Sequence, residues 1–100
     1  MIKHIVLWRL KESAQGRTKR DNALLIKQKL EALHGVVPGL LKVEVGVDIA
    51  GTEQSYDVAL YSEFESRPAL QGYQDHPAHL EAVCFIREVR QDRCVVDYET

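Results

Sequence analysis

Apolar residues recur along this chain with two periods, and the switches between them mark out its elements. Residues 2 to 10 carry Ile2, Val6, Trp8 and Leu10 on one parity and Ile5 and Leu7 on the other, which predicts a strand with two apolar sides. From about Thr18 to His34 the spacing becomes threes and fours, and Ala23, Ile26, Leu30 and Leu33 form one helical stripe. Thr18 or Asp21 is placed to cap that helix and Gly35 to end it, with His34 as a surface group in its last turn. After the turn Val36-Val37-Pro38-Gly39, period two returns: Leu41, Val43, Val45 and Val47 alternate with Lys42, Glu44, Gly46 and Asp48. A polar connection from Ile49 to Ser55 leads to a third strand, Tyr56 to Phe64. Ser66 then caps a short helix with Pro68 in its first turn, and Gly72 is expected to close it. A longer helix is expected from Pro77 to about Val89, and a last strand from Arg93 to Tyr98.

The order strand, helix, strand, strand, broken helix, strand is that of an α+β fold of the ferredoxin-like split βαβ type. It predicts a four-stranded antiparallel sheet with helices on one face. Helices on one face leave the second apolar side of the first strand uncovered. Packing two such sheets face to face in a symmetric homodimer would bury both.

Composition narrows the partners without naming one. One hundred residues with 45% hydrophobic content make a single domain, 1–100, with a real core. A formal charge of −2 from 13 basic and 15 acidic residues provides no broad field for nucleic acid. The basic residues read as scattered, with only Arg17, Lys19 and Arg20 close together, as a solvated loop and helix start. No apolar run nears the roughly 20 residues that span a membrane, and the opening segment lacks a small-residue cleavage site. Cys84 and Cys94 form no CxxC pair and read as small buried hydrophobes. The default setting is therefore cytoplasmic.

Proton-transfer groups concentrate in Tyr73-Gln74-Asp75-His76-Pro77-Ala78-His79-Leu80. Pro77 biases His76 away from helical angles, so His76 or Asp75 belongs at a helix cap. His79 falls in the first turn, where the positive end of the helix dipole disfavours an imidazolium. A neutral His79 can act as a general base, with the Tyr73 hydroxyl donating to a carbonyl or enolate oxygen. The bland alternative is a backbone-bonded His79 beside a wall tyrosine. His4 shares a strand face with Ile2, Val6 and Trp8, and needs a partner if buried; Asp97, on the neighbouring last strand, can supply it. His76 and His79 alone do not make a metal site, since catalytic zinc takes three protein ligands. No Gly-rich phosphate loop, GxSxG elbow or His-paired cysteine calls for a cofactor or a nucleophilic mechanism.

With these residues in view, the chain resembles the stress-responsive A/B barrel (Dabb) family over nearly its whole length. The resemblance rests on Ile2-Lys3-His4-Ile5-Val6-Leu7, Pro38-Gly39, Phe64-Glu65-Ser66, Tyr73-x-x-His76-Pro77-x-His79 and Val96-Asp97-Tyr98. It implies a dimeric α+β barrel, a homodimer joined through sheet faces, with a small-molecule pocket and no cofactor. A plant polyketide cyclase of that family closes its substrate by an aldol step with a tyrosine and a histidine, which Tyr73 and His79 match. His4 and Asp97 match further pocket residues, while a histidine on that cyclase's third strand has no counterpart among Val58, Ala59 and Leu60. Two functions follow from the resemblance: a small-molecule binding protein, or a cyclase- or lyase-like enzyme with His79 and Tyr73 as catalytic candidates. His4, Trp8, Asp97 and His76 are then the ligand-binding candidates.

Overall fold

A computed structural model describes residues 1–100. Strand β1 (Ile2–Leu10) is followed by a small hairpin, β2 (Ser13–Ala14) and β3 (Arg17–Thr18), then helix α1 (Lys19–Glu31). Strands β4 (Leu40–Val47) and β5 (Val58–Phe64) come next, then α2 (Arg67–Asp75), α3 (Pro77–Val89) and β6 (Arg90–Glu99). The four long strands make one antiparallel sheet in the order β4-β5-β1-β6. This is the ferredoxin-like α+β arrangement, with the first and last strands as neighbours.

Alternation along β1 and β5 separates the two faces. Ile2, His4, Val6, Trp8 and Leu10 are buried with Val58, Leu60, Ser62 and Phe64, under the helices. The other face carries Ile5, Leu7, Tyr61, Cys94, Val96 and Tyr98. Helices do not cover it, so the second side of β1 is only half-buried within one chain. Val96 is 53% and Tyr98 42% exposed. No helix is long and apolar enough to cross a membrane.

Several boundaries differ from the pattern, each for a physical reason. Residues 11 to 17 are more than a polar connector: Gln15 and Gly16 both adopt positive φ, the turn that suits a two-residue hairpin, and create β2–β3. Thr18 caps α1 by accepting from Asp21 N at 3.1 Å, as expected, but the helix stops at Glu31 rather than His34. Beyond it the amides of Leu33, His34 and Val36 bond carbonyls three residues back, a tighter winding that carries Leu33 and Val37 into the core. The register of β4 slips between Leu40 and Lys42, so Leu40 is buried and Leu41, expected in the core, is 46% exposed. Gly39 is required where it stands: its φ is +80°, and a Cβ there would lie 2.6 Å from Ala69 Cβ.

Gly72 does not end α2, which continues to Asp75. A mid-helix glycine costs about 1 kcal/mol relative to alanine. Burying Tyr73, only 1% exposed, returns about 2 kcal/mol or more on the scale of large apolar side chains. Burial wins, and Tyr73 sits on a helix, not in a loop. Cys84 and Cys94 are both exposed, contrary to their reading as buried hydrophobes; Cys84 lies on the outer side of α3 and Cys94 on the open sheet face beside Leu7.

Candidate functional site

A cavity of about 280 Å³ lies between the helix-facing side of the sheet and the helices. β1 contributes His4, Val6 and Trp8 to its wall, β5 contributes Leu60, and the two C-terminal helices contribute Tyr73 and His79. Of the residues singled out in the sequence, four therefore meet at one space. Asp97 and His76 do not line it.

Each of those two has another place. His4, on the central strand, is buried, and its Nδ1 bonds Asp97 Oδ1 across the β1–β6 pairing. A carboxylate only accepts, so Nδ1 carries the proton and Nε2 is the ring's other, uncommitted nitrogen. Asp97 thus acts on the cavity through His4. His76 stands between α2 and α3 in extended backbone, φ −68° and ψ 133°, and ends one helix while starting the next. Its Nδ1 accepts from Ala78 N at 3.1 Å, so this imidazole caps a helix and does not face the cavity. His76 and His79 therefore make no pair, and nowhere do three His, Cys, Asp or Glu side chains gather in metal-binding geometry.

Tyr73 is the centre of an aromatic cluster. Its ring centroid lies 4.1 Å from that of His79, 5.0 Å from Phe64 and 6.1 Å from His4. Burial pushes its phenol well above the ordinary tyrosine value, so the hydroxyl keeps its proton and remains a donor. That hydroxyl is closed off from solvent and has no hydrogen-bond partner. An unpaired buried hydroxyl costs roughly 1–3 kcal/mol, a penalty that native interiors seldom leave standing.

His79 Nδ1 lies 3.4 Å from the Gln74 carbonyl, and the carbonyl can only accept. The contact favours the tautomer with the proton on Nδ1, leaving Nε2 as the basic nitrogen. The imidazole titrates below its ordinary value, first because it is partly buried and further because His4, Arg93 and His76 lie near it. The Gln74 contact opposes that shift without cancelling it. His79 is thus a neutral base at pH 7.

Sequence reading missed one group altogether. Arg87, Arg90 and Arg93 also line the cavity, and they contradict the view that basic residues cluster only at Arg17, Lys19 and Arg20. Arg87 lies in the last turn of α3, Arg90 begins β6 and Arg93 lies three residues along it. The equal spacing of three was the available signal. It was hidden by the intervening Glu88 and Asp92, and by expecting β6 to start at Arg93 when it starts at Arg90.

The fold places the chain in the class of small ferredoxin-like α+β proteins. More narrowly, residues 2–100 match the family model described as the stress responsive A/B barrel domain (Dabb), and the chain belongs to that family. An uncharacterized protein of Streptomyces coelicolor is 32% identical over 99 residues, covering 99% of each chain. A dimeric protein of unknown function and ferredoxin-like fold from Bacteroides fragilis is 31% identical, with a TM-score of 0.82, covering 99% of this chain and 95% of its own. A dimeric ferredoxin-like protein of unknown function from Thermobifida fusca is 26% identical, with a TM-score of 0.84, covering 99% and 90%.

Proposed function

We propose that this Dabb protein is a homodimer that binds a small carbonyl-containing molecule in the cavity bounded by His4, Trp8, Tyr73 and His79. The observation that carries the reading is the Tyr73 hydroxyl, buried, protonated and without a partner. A ligand oxygen at that position would supply the missing acceptor. Apolar Val6, Leu60 and Trp8 suit the remainder of a small organic molecule. The homodimer follows from the open sheet face, where Leu7, Val96 and Tyr98 need a cover that a second copy would provide.

A second reading, catalysis, is favoured by the contact between His79 and Tyr73. In it, Nε2 of His79 removes a proton next to the ligand carbonyl, and the Tyr73 hydroxyl steadies the resulting enolate oxygen. The enolate carbon can then attack a second carbonyl, the carbon–carbon bond formation of a cyclase, or the reverse step can break such a bond, as in a lyase. His4, braced by Asp97, fixes the cavity wall on the other side of Tyr73.

Native mass spectrometry of protein purified from its own host tests both readings. A retained small molecule that is lost in Tyr73→Phe supports binding, and its conversion by wild type but not by His79→Ala supports catalysis. Retention unaffected by Tyr73→Phe and by a bulky Trp8 neighbour, Val6→Phe, sinks the assignment of the pocket.

A further inference from the structure

We infer that the molecule held in this cavity is an organic carboxylate, its acid group bound by Arg87, Arg90 and Arg93 and its carbonyl directed to Tyr73 and His79. The inference deepens the proposed small-molecule function and rests on it.

The charge distribution carries the argument. The whole chain is slightly acidic, with 15 acidic against 13 basic residues. Yet three arginines line this one cavity, and no aspartate or glutamate lines it. The ion pairs of the molecule involve other groups. The nearby Asp92 lies 3.8 Å from Arg9, and Lys19, Lys27 and Arg67 take Glu12 and Asp57, Glu31 and Glu99. The guanidinium groups of Arg87, Arg90 and Arg93 are therefore left without a carboxylate. Three like charges at the mouth of one hollow repel one another, screened in part by water, and give that mouth a positive field. An anion that enters relieves the repulsion, and a carboxylate matches the planar fork of a guanidinium with two parallel bonds.

Burial gives the ligand a direction. His4, Trp8 and Tyr73 are buried, whereas Arg87 and Arg93 are exposed and Arg90 is intermediate. The cations therefore hold the outer end of the cavity, and the buried Tyr73 lies at its inner end. Arg93 is also near enough to His79 to disfavour its protonation. A ligand with a carboxylate at one end and a carbonyl at the other satisfies the two ends together. The hollow, about 280 Å³, lies at the small end of ligand pockets. That size has room for a short oxo acid.

The test is a titration of the full-length protein, followed by amide and side-chain NMR, with acetoacetate and 4-oxopentanoate, their uncharged amides, and inorganic phosphate. The acids should bind about tenfold or more tightly than their amides, in the scale of charge-assisted hydrogen bonds. Arg90→Gln and Arg93→Gln should each remove about tenfold of the acid affinity and leave amide binding unchanged. Arg20→Gln, on a surface away from the cavity, should change neither, and raising salt should weaken only the acids. If amides bind as tightly as acids, the carboxylate inference fails while the pocket stands. If phosphate binds with the same arginine dependence and more tightly than the acids, the carboxylate assignment is overturned in favour of a phosphate. If no probe shifts Tyr73 or His79 resonances, the inference and the small-molecule reading fall together.

Discussion

Replacing Tyr73 with phenylalanine should stabilise the ligand-free protein, the opposite of what most buried Tyr→Phe changes do. A buried tyrosine that makes a hydrogen bond loses about 1 kcal/mol when its hydroxyl is removed. Here the ring is packed against His79, Phe64 and His4, but the hydroxyl itself has no partner and no solvent. Deleting it keeps the ring contacts and removes a desolvation penalty of roughly 1–3 kcal/mol. In a domain of this size each kcal/mol moves the melting temperature by about 4–8 °C, so a rise of about 5 °C or more is expected. Differential scanning calorimetry at pH 7 and fixed protein concentration measures it, on samples shown by native mass spectrometry to carry no ligand. The same variant should bind a carbonyl ligand more weakly, so stability and affinity move in opposite directions. A Tyr73→Phe protein that melts at or below the wild-type temperature would refute the reasoning. It would mean that the hydroxyl is already satisfied in the free protein and is not reserved for a ligand.

The remaining predictions concern one proton and one turn. His79 has a folded-state value below the ordinary 6.5 because of its burial, so as pH falls through 6.5 the unfolded chain takes up a proton that the native state resists. Stability should therefore decline from about pH 6.5 downward, and His79→Gln should flatten that part of a melting-temperature profile between pH 5 and 8. An unchanged slope in the variant would remove His79 as its source. Gly39→Ala should destabilise by about 1–3 kcal/mol or more in urea unfolding, because it combines a φ of +80° with a Cβ contact of 2.6 Å to Ala69. A neutral result would show that α2 shifts freely at its first turn.

Much of the fold was legible because alternation and helical spacing are local properties. β1 and α3 follow their patterns residue by residue, and β5 does so from Val58, two residues after the expected start at Tyr56. The departures came where a distant contact outweighed a local preference. Leu41 continues the alternation of β4, but the bulge opposite Phe64 turns Leu40 inward instead. Gly72 reads as a helix end, but the burial of Tyr73 carries the helix through it. In the cavity, Tyr73, His79, His4 and Trp8 were found from their residue types, since each is a polar or aromatic group in an informative position. The arginines were not, because arginine is ordinary on any surface. Only the direct passage from α3 into β6 turns Arg87, Arg90 and Arg93 onto a common space.

That passage has a counterpart at the other end of α3, and there the reason for the His76-Pro77 break can be worked out. Tyr73 and His79 are six positions apart in sequence. On one continuous helix they would stand about 9 Å apart along the axis and about 120° apart around it, on different faces. Their rings could not then meet at 4.1 Å. Pro77 prevents continuity twice over: it lacks the amide that would extend α2, and it holds the preceding residue in extended backbone. His76 supplies the cap that offsets the interruption, by accepting from the Ala78 amide, which has no carbonyl partner in the first turn. The second helix then starts with a new phase, which brings His79 over Tyr73. The two histidines of the motif thus do different work. His76 sets the backbone break, and the break lets His79 meet the buried ring of Tyr73, with which it lines the cavity.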